Sequence, residues 1–150
     1  LVDGASLAEA LLSAKACLVT KTNYAETLAS IKLAEKLANS NVAPKSAIAE
    51  LGEGWVAEEA LAISIYCTLV ANNFHEGVIM AVNHDGDSDS TGAITGNLLG
   101  ALYGKEYLPN HWLEQLELNS VISELAIDLY NFPLWDIETD DAIWRKYPGF

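Results

Sequence analysis

Positive charge is scarce in this 150-residue chain, which has 8 lysine and arginine residues against 21 aspartate and glutamate residues, a net charge of −13. A surface this acidic repels the phosphates of nucleic acids and the headgroups of anionic membranes. We therefore expect neither a nucleic-acid binding surface nor a membrane partner. Excess carboxylates can instead concentrate metal cations, although most acidic side chains are simply solvated residues of the surface.

Cysteine and long apolar segments are also scarce. The two cysteines, Cys17 and Cys67, lie fifty residues apart, which excludes a disulfide framework and a paired-cysteine zinc site. Both occupy apolar helical contexts, so we predict two buried thiols in a reducing compartment, the cytoplasm. The longest apolar segment, residues 60–71, is too short to span a bilayer. No secretory signal peptide is evident. Because the chain begins with Leu1 rather than Met, we expect a fragment or a processed product.

Helical periodicity is present along almost the whole chain, with 51% apolar and 19% charged residues, and no segment alternates as a strand does. Asn23 and Glu26 are predicted to form a capping box, and Pro44 to open a helix. The helix of residues 55–71 is apolar almost all round and is predicted to be the buried centre of an all-α orthogonal bundle. Residues 131–150 are predicted to be an irregular aromatic segment packed across the surface. The predicted helices are residues 6–20, 23–39, 44–51, 55–71, 74–82, 88–104, 109–116 and 121–130.

An acidic loop leads into a glycine-rich helix in the segment NHDGDSDSTGAITGNLLGALYG, which begins at Asn83. Asp87 and Asp89 are followed by the hydroxyls of Ser90 and Thr91, and such a density of hard oxygen donors suits Mg²⁺ or Ca²⁺. An EF-hand is excluded because the sixth and twelfth positions of the loop are not the required glycine and glutamate. The alternative is purely structural, with Asp87 as a helix N-cap and Asp89 as a first-turn charge that favours the helix dipole.

Glycine recurs at every fourth position of the helix that follows, at Gly92, Gly96, Gly100 and Gly104. Each interior glycine costs about 1 kcal/mol relative to alanine. The first three of these glycines therefore predict that another backbone approaches this face of the helix closely. The fourth is predicted to end the helix at the C′ position.

A second glycine-containing turn, Leu51–Trp55, opens the central helix. It has two interpretations, a plain helix start or a phosphate-binding turn, and it lacks the lysine of a P-loop. Glu59 lies on an otherwise apolar helix, so we expect it to have a hydrogen-bonding partner and to support a nearby site. His84 lies beside the acidic loop with no second histidine at a metal-binding spacing, and we expect it to form hydrogen bonds rather than bind a metal.

Two segments resemble the ADP-ribosylglycohydrolase family in their residues, order and separation: LGEGWVAEEALAISIY at 51–66 and AVNHDGDSDSTGAITGNLLGALYG at 81–104. This family includes the dinitrogenase reductase activating glycohydrolases, the ADP-ribosyl-acceptor hydrolases and the J1 crystallins. The similarity continues with less specificity through residues 109–130, and the helices before residue 51 are compatible with it.

The resemblance implies an all-helical fold and an enzyme that hydrolyses the bond between ADP-ribose and an acceptor. In the family, a segment of the pattern Gly-Asp-x-Asp-Ser/Thr supplies ligands to two Mg²⁺ ions. The matching residues are Asp87, Asp89 and Ser90, and Ser90 keeps the hydroxyl oxygen of the threonine often found there. Gly54 and Trp55 match a stretch that lines the ADP-ribose pocket, which makes them substrate-binding residues. The resemblance does not identify the catalytic general base in this chain.

The resemblance covers only part of the family's site. The remaining ligands of the family come from a Thr/Ser-Asp-Asp motif and an acidic residue in an N-terminal half, and we expect neither of them in this chain. Residues 1–150 therefore resemble the C-terminal portion of a single family domain. The implied partners are an ADP-ribosylated substrate and the N-terminal half of the same enzyme, without which a half-site binds Mg²⁺ weakly and the chain is inactive.

An alternative of a different class is a non-catalytic helical protein, a structural or binding relative similar to the crystallins that kept the scaffold and lost the chemistry. The intact Asp-Ser-Asp-Ser segment at 87–90 favours the enzyme. No residue indicates the acceptor, whether arginine, serine or another group.

Overall fold

The computed structural model describes residues 1–136 and 141–148, and all regular structure in these ranges is helical, which confirms the predicted all-α fold class. The chain forms two compact units, Leu1–Pro109 and Asn110–Phe150. No helix in the described ranges has the length and apolarity that crossing a membrane requires. The helices are α1 Leu7–Leu18, α2 Ala25–Ala38, α3 Pro44–Leu51, α4 Ala57–Val70, α5 Phe74–Val82, α6 Ser88–Tyr103, α7 Asn110–Gln115, α8 Asn119–Asn131 and α9 Asp141–Lys146.

Helix α4 forms the centre of the first unit, where it packs against α2, α5 and α6. Its residues Ala62, Ile63 and Cys67 are fully buried, so the predicted central helix is confirmed. The helix begins two residues later than predicted, because Gly54 has a left-handed backbone with φ +83° and Val56 is extended. Trp55 therefore precedes the helix and is 66% exposed.

Capping contacts define the helix starts, but not at every predicted position. Helix α1 begins with a capping box in which the Ser6 hydroxyl accepts from the Glu9 N–H at 3.3 Å and the Glu9 carboxylate accepts from the Ser6 N–H at 2.9 Å. The predicted box of Asn23 and Glu26 is wrong, since Tyr24 is the N-cap residue of α2 and Asn23 has φ 59°. A capping side chain must come from the residue directly before the helix, and Asn23 is one position too early.

The aromatic segment that follows Asn131 is more regular than predicted, because residues 141–146 of it form α9. The rings of Trp135 and Tyr147 stack with their centroids 6.1 Å apart. Hydrogen bonds from the side chains of Lys146 and Tyr147, in that order of effect, lower the pKa of Asp128. The predicted packing of the segment across the surface stays a prediction, and the ranges 137–140 and 149–150 lie outside the described residues.

The two cysteines lie in different environments, and both are free thiols. Cys67 is buried in α4, as predicted, and burial raises the pKa of its thiol to about 12. Cys17 is exposed on α1, so the prediction of two buried thiols is wrong. The physical reason is that α1 covers the core with few side chains: of its 12 residues, Leu11 is the one that is buried.

We expect the native chain to react with iodoacetamide at pH 8 at one thiol, that of Cys17. The thiolate is the reactive form, and a thiol of pKa near 12 carries it in only about one molecule in ten thousand at pH 8. The intact mass after labelling, with and without denaturant, counts the thiols that react in each state. The Cys17→Ser variant, which keeps only Cys67, should be labelled only when it is unfolded. Equal labelling of both thiols in the native chain would contradict the burial of Cys67.

Candidate functional site

Two loops of the first unit, the turn between α3 and α4 and the acidic loop between α5 and α6, are in direct contact. The backbone N–H of Asp87 donates to the carbonyl oxygen of Glu53 at 2.8 Å. At Gly86, a Cβ atom would lie 1.8 Å from the same carbonyl oxygen, so a side chain cannot be accommodated there. At Gly54, a Cβ atom would lie 3.6 Å from that of Asp87. The structure thus brings together Gly54 and Asp87, which the sequence places in separate segments.

Asp87, Asp89 and Ser90 stand together at the start of α6. Hydrogen bonding with the Asp89 side chain, and then with the Ser90 side chain, lowers the pKa of Asp87. Asp87 is the N-cap residue of α6, and its side chain forms no capping hydrogen bond. The capping interpretation therefore holds for the backbone of Asp87 and not for its carboxylate.

This donor set fits a divalent cation. Two neighbouring carboxylates repel when both are ionised, unless a proton or a cation lies between them. Together with the Ser90 hydroxyl they present oxygen atoms, which are the ligands that Mg²⁺ prefers. Among the residues that the structure describes, no three or more His, Cys, Asp and Glu side chains form a group that could hold a metal. Asp87, Asp89 and Ser90 are three oxygen donors, and their role as metal ligands stays a prediction.

Hydrogen bonds of His84 and Thr91 connect the acidic loop to the end of α5. The Thr91 hydroxyl donates to the Ala81 carbonyl at 2.7 Å and lies 2.9 Å from Nε2 of His84. The Gly86 N–H donates to Nδ1 of His84 at 3.1 Å, so Nδ1 is an acceptor and we assign the proton to Nε2, which donates to Thr91. The expected hydrogen-bonding role of His84 is confirmed. Thr91 is fully buried, and its hydroxyl is therefore not one of the exposed oxygen donors that the sequence suggested.

The turn between α3 and α4 is held by Glu59, whose carboxylate accepts from the N–H groups of Glu53 and Gly54 at 3.2 and 3.1 Å. The expected partner of Glu59 is thereby identified. Because these N–H groups are occupied, the phosphate-binding interpretation of the turn is not favoured. The indole N–H of Trp55 donates to the Glu53 carboxylate at 3.0 Å, and the ring is otherwise largely exposed.

A cavity of about 170 Å³ adjoins the two loops. It is lined by Lys45 and Ile48 of α3 and by Asn83 and Asp85 of the acidic loop, among others. Ligand pockets commonly measure about 300–1,000 Å³, so this cavity is too small for a nucleotide. The predicted ligands Asp87 and Asp89 do not line it. Asp89 is exposed, and Asp87 is half-buried.

The glycines of α6 have different surroundings. A Cβ atom at Gly92 would lie 2.5 Å from the Val82 side chain, whereas at Gly96 and Gly100 it would meet no described atom within 4 Å. The predicted close approach of another backbone to this face is therefore wrong for the described residues. Gly104, with φ +87°, ends α6 as predicted, and its N–H donates to the Gly100 carbonyl at 2.9 Å.

The sequence of the chain also matches a known protein family. The model of a family described as ADP-ribosylglycohydrolase matches residues 1–136. The chain belongs to the ADP-ribosylglycohydrolase family. The resemblance carried by residues 51–66 and 81–104 is thus confirmed at the level of the family.

The chain is also similar to individual members of the family. It is 32% identical over 88 residues to ADP-ribosylarginine hydrolase Tri1 of Pseudomonas putida (strain GB-1), covering 59% of this chain and 24% of that protein. It is 26% identical over 134 residues to ADP-ribosylhydrolase ARH3 of Bos taurus, covering 82% of this chain and 36% of that protein. These matches span less than two-fifths of the relatives' lengths. No solved structure gives a significant match.

The expectation about the family's second motif needs a correction. A Thr-Asp-Asp triplet does occur in this chain, at residues 139–141. It follows the acidic loop in the sequence, whereas the motif of the family lies in an N-terminal half. Thr139 and Asp140 lie outside the described residues, so the triplet is not assigned to the site.

We expect Gly86→Ala and Gly96→Ala to have opposite effects on the free energy of unfolding. Alanine at position 86 would place Cβ 1.8 Å from the Glu53 carbonyl and should destabilise the fold by about 1–3 kcal/mol. Alanine at position 96 meets open space in mid-helix and should stabilise it by about 0.5–1 kcal/mol. Urea denaturation measures both changes. A Gly86→Ala variant as stable as the parent chain would show that the two loops are not in close contact.

Two buried hydroxyls of α6 form a second matched pair. Thr91→Val removes the hydroxyl that bonds to Ala81 and His84 and should destabilise the chain by about 1–3 kcal/mol. The Thr95 hydroxyl is buried with no hydrogen-bond partner among the described residues, so Thr95→Val should raise the free energy of unfolding by up to about 1 kcal/mol. Thermal and urea unfolding test both variants, and equal destabilisation would contradict the described difference between the two hydroxyls.

Proposed function

We propose that this chain supplies one half of a dinuclear Mg²⁺ site in a hydrolase that cleaves the glycosidic bond between ADP-ribose and an acceptor. The observation that carries the proposal is the contact between the turn and the acidic loop, in which the Asp87 N–H bonds to the Glu53 carbonyl and a Cβ atom on Gly54 would lie 3.6 Å from that of Asp87. On this proposal, Trp55 of the turn would face the nucleotide, and Asp87 and Asp89 of the adjacent loop would hold the cations. The names of the relatives support the reaction, since both are described as hydrolases of ADP-ribosyl groups.

Each site residue has a distinct proposed role. Asp87, Asp89 and Ser90 would hold the cations through their oxygens, and Mg²⁺ bound there supplies positive charge that orients ribose hydroxyls and polarises a water molecule. The exposed ring of Trp55 offers a surface on which a base of the substrate can stack. Gly54 is proposed as a substrate-binding residue of the same turn; it has no side chain, which allows the turn to pack closely against Asp87 and Thr91.

The remaining ligands are proposed to come from a partner, the N-terminal half of the same enzyme, with residues 1–150 as the C-terminal portion of one family domain. Two observations support this proposal. The three identified donors are fewer than the six oxygens that Mg²⁺ requires. In addition, α8 exposes large apolar side chains, with Ile127 at 60% and Leu129 at 75%, and exposed apolar surface often marks a contact with another polypeptide.

The cellular location and the acceptor of the ADP-ribosyl group are argued from features outside the acidic loop. The free thiols of Cys17 and Cys67 suit a reducing compartment, and we propose the cytoplasm. The matched relatives include a hydrolase named for ADP-ribosylarginine and one named for ADP-ribosyl groups in general, so the acceptor stays open.

Isothermal titration of Mg²⁺ and ADP-ribose tests the proposal, first with this chain alone and then with the remaining portion of a relative added as a separate polypeptide. We expect weak Mg²⁺ binding alone, tight binding in the mixture, and turnover only in the mixture. Asp87→Asn should weaken Mg²⁺ binding at least about tenfold, because it removes a ligand charge. Asp85→Asn makes the same chemical change two residues away and should leave the affinity within about twofold.

Two results would contradict the proposal. Mg²⁺ affinity in the mixture that is the same for Asp87→Asn and the parent chain would remove the acidic loop from the metal site. Failure of both ligands to bind under either condition would favour the alternative, a non-catalytic relative in which the acidic loop is only a helix start.

A further inference from the structure

We propose that Glu59 is a positioning residue, which fixes Asp87 through the Glu53–Gly54 peptide and thereby sets the cation affinity of a site that it does not touch. The positioning is a property of the described contacts. Its consequence for cation binding rests on the proposed function.

The first contact lies between the carboxylate of Glu59 and the turn that precedes its own helix. Glu59 is the third residue of α4, and one of its oxygens, Oε2, accepts from the N–H groups of both Glu53 and Gly54. The position of the carboxylate depends on Gly52, which has φ +120°, because a Cβ atom there would lie 2.4 Å from the carboxyl carbon of Glu59. The glycine thus provides the space in which a charged acceptor can reach the turn.

The second contact lies at the other end of the same peptide unit. The N–H of Gly54 and the carbonyl of Glu53 belong to one peptide group, which is planar and rigid. That carbonyl accepts from the N–H of Asp87 at 2.8 Å and is closely packed by Gly86. A negatively charged acceptor on the N–H side polarises the peptide, which strengthens the hydrogen bond on the carbonyl side. The orientation set by Glu59 is therefore passed to the backbone of Asp87.

A general stabilising effect of negative charge at the start of α4 does not account for these contacts. Glu58 lies in the same first turn and carries the same charge, so it interacts with the helix dipole equally well. Among the described residues, no hydrogen bond joins Glu58 to the preceding turn. Glu58 is therefore a matched control, which separates a charge effect from the positioning effect of Glu59.

The test combines backbone amide exchange with titration of Mn²⁺, both followed by NMR on the 150-residue chain. In Glu59→Ala, we expect the amides of Gly54 and Asp87 to exchange at least about tenfold faster, with the α4 amides unchanged. Paramagnetic broadening around Asp87 should need about tenfold more Mn²⁺, the usual effect of losing a group that supports a metal ligand. Glu58→Ala should match the parent chain in both measurements.

Two further variants complete the test. Glu59→Gln keeps a carbonyl oxygen that can accept both hydrogen bonds, so it should retain most of the Asp87 protection. Glu59→Met keeps the length of the side chain without an acceptor, and it replaces Glu59→Ala in the comparison if the alanine variant does not fold. Unchanged exchange of the Asp87 amide in the alanine or methionine variant would overturn the positioning role. A uniform rise in exchange along the whole chain would also overturn it, by showing a general loss of stability.

The two proposals fail in different ways. If the parent chain shows no Mn²⁺ broadening near Asp87, alone or with the remaining polypeptide, the proposed function is wrong, while amide exchange still decides whether Glu59 positions the loop. If Mn²⁺ broadens the acidic loop equally in Glu59→Ala and the parent chain, the metal site survives and the positioning proposal is wrong.

Discussion

The contact between the Glu53 carbonyl and the backbone of Gly86 and Asp87 is the interaction on which the candidate site depends. It joins two loops that are more than thirty residues apart in the chain, and it leaves no room for a side chain at Gly86. Because the Asp87 N–H donates to the Glu53 carbonyl, the backbone of the acidic loop is held at that point. The carboxylate of Asp87 is then directed from a defined backbone rather than from a mobile one.

The helices behind these loops keep the contact in place. Helix α6 is anchored by the fully buried Thr91, whose hydroxyl reaches the end of α5 at Ala81, and His84 links that hydroxyl to the Gly86 N–H. Helix α4 is buried between its neighbours and carries Glu59 at its start. A cation site on these loops would therefore have hydrogen-bonded support on both sides, which is the arrangement that keeps metal ligands in a productive orientation.

The net charge of the chain bears on how it could bind the proposed substrate. The chain carries a net charge of −13, and an ADP-ribosyl group is itself an anion, so the two repel in the absence of a counter-charge. Divalent cations at Asp87 and Asp89 would reverse the local sign of the surface where the substrate is proposed to bind. The acidic composition and the proposed anionic substrate are in this way compatible.

Much of the fold and part of the site could be predicted from the sequence. Helical periodicity, the proline start of α3 and the glycine end of α6 are determined by neighbouring residues, and the grouping of Asp87, Asp89 and Ser90 follows from their adjacency in one helical turn. The tertiary structure alone decided the approach of Gly54 to Asp87, the inward turn of the Thr91 hydroxyl and the exposure of Cys17. Those features depend on atoms that are distant in the chain and meet only when the helices pack, and a local sequence pattern carries no information about such distances.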